Sequence, residues 1–342
     1  MSADRRAYTP SVHTEAALES IFLSPQALLQ SGLTEAEISD ALRQGDGVLW
    51  VALSASYPGT RHILAEVFGF HQLAIDDCMN GRVDPPKVDD YGDWLFIVSQ
   101  SVDTSEGDGV LHLEELDMFL GANYVVTVKK HEHLPTVDRL FTGATTNAYL
   151  LNRGADFLAH TILDTIVDEL LPAVEAMDRR LDGIEQQIIE RPSKALLSEV
   201  LLLKRDTLAF RRVIVPQRDL VNRLSRGEFG TLIRQEALIF YRDIYDHIVR
   251  VETMLDGLRD LADSGLSSYL SAMNNKMNEI MKALSVVAVV FLPLTLVASI
   301  FGTNLDYSAL GLTLDGGFYW MLGLMLVIAA AMIAYFRRRG WF

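Results

Sequence analysis

The chain closes on two uninterrupted apolar runs, Ala283–Phe301 and Phe318–Phe336, each 19 residues long without an Asp, Glu, Lys, Arg or His. At about 1.5 Å per residue each run makes a helix of roughly 28 Å, close to the hydrocarbon thickness of a bilayer. A two-helix hairpin encloses no water-filled path by itself. A path across the membrane would therefore need several copies around an axis.

Ahead of the hairpin the pattern is that of a water-exposed protein. Short runs rich in β-branched and aromatic residues predict strands at Gly47–Leu53, Trp94–Gln100, Val110–Leu120 and Tyr124–Val128. Thr60–Phe68 is helical in spacing, and Gly81–Asp93, with Pro85 and Pro86, reads as turns. Strands and helices interleaved in this way predict an α/β domain.

After Arg153 apolar residues recur every three or four positions, predicting helices over Ala155–Arg191 and Ser193–Ser225. Pro172 and Pro216 are expected to kink or break them, whereas Pro192 suits a first helical turn. From Thr231 to Phe301 only Pro293 interrupts, which predicts one very long helix bundled laterally with its neighbours. The expected organisation is an α+β membrane protein with six parts. These are an α/β domain over 1–150, a helical stalk over 151–282, a membrane helix over 283–301, a loop over 302–317, a second membrane helix over 318–336, and a basic tail over 337–342.

Charge adds topology. Lys276 and Lys282 precede the first run, Arg337, Arg338 and Arg339 follow the second, and the loop between has no basic residue. The positive-inside rule then places both termini in the cytoplasm of a plasma-membrane protein. Tyr319 and Trp320 at one end, with Tyr335 and Trp341 at the other, have the makings of interfacial belts. The net charge of −15 is carried almost wholly by the part before the hairpin, which argues against nucleic acid as a partner and favours cations. Met1–Pro10 has no apolar core of a signal peptide, and a single cysteine, Cys78, excludes an internal disulfide. Cys78 is expected to be a free buried thiol.

One helix face stands out around the first run. Positions Leu270, Asn274, Asn278, Met281, Leu284, Ala288, Leu292, Thr295 and Ser299 follow one another at steps of three or four, so they share one side. That side is polar at both ends and apolar in the middle. Helix–helix packing through hydroxyls is one reading. The other is a pore with polar rings and an apolar constriction at Met281, Leu284 and Leu292 that gates by dewetting.

The stretch YLSAMNNKMNEIMKAL, followed by FLPLTLVASIFGTN, a short loop, a second apolar helix and FRRRGW, closely resembles the CorA family of divalent-cation channels. So do FGFHQLAIDDCMN with RVDPPKVDDYGDWLFIV, the ERP at Glu190–Pro192, and YRDIYDH at Tyr241–His247. The resemblance implies a funnel-shaped homopentamer whose first membrane helices line a central pore. The implied cargo is a divalent cation of the Mg²⁺, Co²⁺ or Ni²⁺ kind.

It also implies site residues. Gly302, Thr303 and Asn304 stand where the family carries its Gly-Met-Asn filter, with Thr for Met, and the acidic stretch that usually follows is absent. Five Asn304 amides could still bond the water shell of Mg²⁺, an ion that sheds water reluctantly. The zinc-transporting branch shares these departures, so zinc movement, possibly proton-coupled, is the alternative. A non-conducting membrane-anchored sensor or scaffold is a further one. Asp77, with Asp76 beside it, and Asp243 match acids that bind a regulatory cation between subunits; a second acid used by relatives falls on Ser267 and is not carried over.

The cation is expected as cargo and regulator, with no other cofactor. His131-Glu132-His133 is a weak metal candidate. No H-E-x-x-H, paired C-x-x-C or phosphate-cradling glycine loop is present, and nothing in the chain indicates an enzyme.

Overall fold

The computed structural model describes residues 18–103, 112–130, 134–303 and 314–341. They fall into two compact units, one comprising 1–184 with 198–264 and the other 185–197 with 265–342.

The first unit is built on a seven-stranded sheet. Its strands are β1 Leu18–Leu23, β2 Leu29–Ser31, β3 Val48–Ser54, β4 Lys87–Asp90, β5 Trp94–Asp103, β6 His112–Gly121 and β7 Tyr124–Lys129, in the spatial order β2-β1-β3-β7-β6-β5-β4. Only β3 and β7 pair in parallel, with Trp50 opposite Val125; all other neighbours are antiparallel.

Both faces are covered, which is why β3 and β7 read as continuous apolar runs. One face buries Phe22, Val51, Phe96, Phe119 and Val126 under α1 Glu35–Gln44, α2 Thr60–His62, the π turn Ile63–Val67 and α3 Gln72–Met79. The other buries Ile21, Trp50, Ile97, Met118 and Val125 in one core with α4 Pro135–Thr146, α5 Ala155–Asp168 and the first-unit parts of α6 Leu170–Glu190, α7 Lys194–Ser225 and α8 Leu238–Phe301. Trp50 anchors this side, edge-on to Phe141 and donating its indole N–H to Thr127 Oγ1 at 3.1 Å.

The segment expected as turns at Gly81–Asp93 contains β4. Of its residues only Val88 is fully buried, so this edge strand carries no apolar signature and is held by its backbone ladder to β5. The expected first long helix divides between α5 and α6 at Glu169. Pro172 then lies in the first turn of α6, where its missing N–H has no helical partner to lose.

Pro216, expected to break its helix, sits inside an uninterrupted α7. Phe210, Val213, Ile214, Leu220 and Val221 are buried on either side of it, and their packing offsets one lost backbone bond. The last long helix begins at Leu238; turns occupy the stretch from Gly227 to Ala237.

The second unit contains the end of α6, the start of α7, α8 from Gly265 onward, and α9 Leu314–Arg338. It holds two helical stretches long and apolar enough to cross a membrane, in α8 and over Gly317–Arg338. Phe336 is buried there against Trp341, their rings 5.3 Å apart.

Candidate ion pathway and acidic clusters

In the second unit all nine stripe residues, Leu270 to Ser299, lie on the unbroken α8 and are solvent-exposed in the single chain. An exposed row containing Asn274, Asn278, Thr295 and Ser299 on a membrane helix calls for a polar partner or water. The Thr295 hydroxyl is already committed, donating to Phe291 O at 2.8 Å.

A cleft of about 540 Å³ lies beside the stripe, between α8 and the C-terminal turn. Asn278, Met281, Lys282 and Trp341 contribute to its walls. The helix stops at Phe301. Gly302 N–H then bonds Ala298 O at 2.9 Å, and the Thr303 hydroxyl closes the end by donating to Ile300 O at 2.6 Å. Asn304, most of the outer loop and His131-Glu132-His133 lie outside the described residues.

In the first unit Asp76 and Asp77 occupy the last two turns of α3, whose N-terminus is capped by His71. Asp76 is bound by Arg61 at 2.9 Å and by Gln72, and those hydrogen bonds hold its carboxyl below the ordinary value. Asp77 takes the Lys87 ammonium at 2.6 Å, and Asp89 takes it at 3.1 Å. Burial opposes the Lys87 charge, but its two carboxylate bonds more than offset that and raise its pKa.

Asp243 is exposed near the start of α8, one turn before His247. The structure adds residues that the sequence reading missed. Ligand atoms of Asp164 and Asp168 on α5 and His247 on α8 all lie within 4.8 Å of one another, with His247 Nδ1 3.5 Å from Asp168 Oδ1. Burial raises the Asp164 pKa, and the charges of Asp168 and Asp243 push it the same way, while His160 and His247 act against them. Burial lowers the pKa of His160 on the same face.

Such a set of two carboxylates and an imidazole suits a divalent cation, which removes the mutual repulsion of the acids. A signal for it existed in the sequence: His160, Asp164 and Asp168 recur every four residues along one helix face. Cys78 is buried and free, as expected.

A soluble mixed-sheet domain whose last helix continues into an apolar hairpin defines a membrane protein with a large water-exposed portion. The family model of the CorA-like Mg²⁺ transporter proteins matches residues 45–338, and the chain belongs to that family. The putative metal ion transporter YfjQ of Bacillus subtilis is 31% identical over 293 residues, 86% of this chain and 89% of that one. The cobalt/magnesium transport protein CorA of Thermotoga maritima is 30% identical over 81% of this chain and 78% of its own. A zinc transport protein, ZntB of Pectobacterium carotovorum, is 24% identical over 85% of this chain and 86% of its own.

The complete structure of the CorA magnesium transporter from Methanocaldococcus jannaschii superposes with a TM-score of 0.77 at 20% identity, covering 95% of this chain and 98% of that one. The fold is therefore that of full-length CorA, with its α/β domain, long helix and two C-terminal apolar helices in the membrane. CorA-like proteins transport metal ions and are not enzymes, which agrees with the sequence reading.

Proposed function

We propose that this chain conducts divalent metal cations through a central pore formed by five copies, with α8 of each copy lining the path. The observation that carries the reading is the stripe on α8. In a chain of this family, an exposed helix face that is polar, then apolar, then polar suits a shared axis better than lipid. A cation would pass Asn304, Thr295, Leu292, Leu284, Met281 and Asn278 in turn from outside, both termini being cytoplasmic. An inside-negative potential favours entry by about 4.6 kcal/mol per divalent ion per 100 mV.

Cytoplasmic cation bound by Asp77 of one copy and Asp243 of the next would hold the pore closed. Asp164, Asp168 and His247, beside Asp243, enlarge the same acidic site. Removal of the cation leaves the carboxylates repelling one another and shifts the population toward open. Relatives named for magnesium, cobalt and zinc leave ion choice to be measured, and the Gly302-Thr303-Asn304 sequence favours a zinc arm in that measurement.

The test is uptake of Mg²⁺, Co²⁺, Ni²⁺ and Zn²⁺ into proteoliposomes, with and without a pH gradient, by native protein and Asn304→Ala. Flux lost in the variant supports an asparagine-ringed channel. No flux of any ion would leave a membrane-anchored sensor.

A further inference from the structure

Beneath α3 the sheet carries a group of ionisable side chains that the transport reading does not use. Asp117 on β6 lies between Val98 of β5 and Val128 of β7, on the face shared with Phe119, and has no solvent exposure. Neither of its carboxylate oxygens makes a well-formed hydrogen bond among the described residues, although the Cys78 thiol and the Glu115 carboxyl lie close enough to act on it. Its ionisable neighbours come from three places: Cys78 of α3, Glu115 two residues back on its own strand, and Lys130 just after β7. The flanking residues of β5 and β7, Val98 and Val128, are apolar.

Within this group the single cation is already used. Lys130 Nζ lies 2.6 Å from Glu115 Oε1, both side chains nearly inaccessible to water. The same pair grips the loop after α3, since Lys130 also bonds Asn80 and the carbonyl of Arg82, and Glu115 accepts the Asp84 N–H. Gln100 adds a bond to Asp84 O at 2.7 Å. Two carboxyls, one ammonium and a thiol make a neutral set only if one carboxyl keeps its proton. Asp117, fully buried and without the Lys130 ammonium that Glu115 holds, is the group that must.

We propose that a proton bound to Asp117 is a structural element of this domain: it seats α3 and the loop over residues 80–86 on the sheet, and its loss loosens them. Burial first, and then the neighbouring Glu115 charge, push the Asp117 carboxyl up to about 8. An unfolded carboxyl near 3.8 releases its proton far earlier, so the native state holds one proton more between those values. Seating is accordingly intact at and below neutral pH and weakens as pH rises through the native value. Because α3 carries Asp76 and Asp77, alkaline conditions would also slacken the frame of those acids; this consequence rests on the reading of Asp77 as a cation ligand.

The full chain in detergent, without added metal, tests the seat. Two readouts are compared in native protein and Asp117→Asn. The first is the infrared carbonyl band of a protonated buried carboxyl. The second is hydrogen exchange of peptides covering residues 72–86, corrected for intrinsic rates and referenced to β3. In native protein the band should be present at neutral pH and vanish at about pH 9, while exchange across residues 72–86 rises on the order of tenfold relative to β3. Asp117→Asn should lack the band and show flat relative exchange.

A native protein without the band at neutral pH, or an identical pH response in the two proteins, overturns the proposal. Should Asp117→Asn fail to fold, Glu115→Gln serves instead. Freeing Lys130 to pair with Asp117 should move the titration down by about one pH unit or more, and an unmoved titration overturns the proposal. Repeating the exchange with Mg²⁺ separates the two readings. A seat that titrates while cation protection of α3 ignores pH keeps the proton and removes its link to the cation.

Discussion

Arg234 and Asp156 form one ion pair, yet removing either partner should have very different costs. Asp156, near the start of α5, is 3% exposed at its side chain, whereas Arg234, ahead of α8, is 53% exposed. Arg234 Nε lies 2.9 Å from Oδ2 and Nη2 2.5 Å from Oδ1, and the backbone N–H of residue 234 adds a third bond at 3.1 Å. Arg234→Ala leaves a buried carboxylate with backbone N–H bonds from residues 157 and 234 but without its guanidinium, a change that costs about 3–5 kcal/mol. Asp156→Asn leaves a half-exposed guanidinium that water can solvate, and should cost about 1–3 kcal/mol in weakened charge-assisted bonds.

At about 2–4 °C per kcal/mol for a unit of this size, Arg234→Ala should melt roughly 5 °C below Asp156→Asn. The double variant should sit nearer Asp156→Asn, because the stranded charge is gone. Thermal unfolding of the full chain in one detergent measures all three. An Asp156→Asn as damaging as Arg234→Ala would refute the reasoning. The pair also joins α5 to the entry of α8, the two helices that bring Asp164 and Asp168 to His247. Gly154 completes the arrangement: its φ is +108°, and a Cβ there would lie 2.5 Å from Arg234 Nη2.

Three further outcomes follow from the candidate sites. Leu284→Ser places a hydroxyl at the apolar middle of the α8 stripe and should raise metal-loaded leak through proteoliposomes on the order of tenfold; an unchanged leak argues against gating by dewetting. Asp168→Asn should weaken Co²⁺-induced thermal stabilisation of the full chain by about 1.4 kcal/mol at a fixed Co²⁺ concentration well above both dissociation constants, equivalent to a tenfold loss of affinity. In the native chain the affinity should fall as pH drops through the raised Asp164 value, since the cation needs that carboxyl ionised, and isothermal titration should show protons released on binding. Affinity independent of pH would exclude Asp164 from the site.

The membrane hairpin and the α8 stripe were legible because each is a property of one element. An apolar run long enough for a bilayer, or side chains repeating every three or four positions, needs no knowledge of the rest of the fold. The same holds for β3, β5 and β7, whose cores are largely apolar and β-branched, and for β6, whose apolar residues were enough to mark a strand despite the acids among them. It fails for β4, where one buried valine among charged residues leaves no pattern, and for Pro216, whose local penalty is overridden by packing along α7. Asp117 was visible only as a lone acid in the otherwise apolar stretch LDMFL of β6.

What the sequence by itself determined, then, is four of the seven strands and the long helices, the membrane hairpin, the helix face that could line a path, and the family resemblance that pointed to a metal ion. The tertiary structure alone decided which distant side chains meet. Asp168 and His247 are 79 residues apart in the chain, and Cys78 and Asp117 are 39 apart. Their approach depends on the pairing of α5 with α8 and on α3 crossing β6. Those pairings are set by burial summed over two apolar sheet faces, a global quantity that no local periodicity encodes.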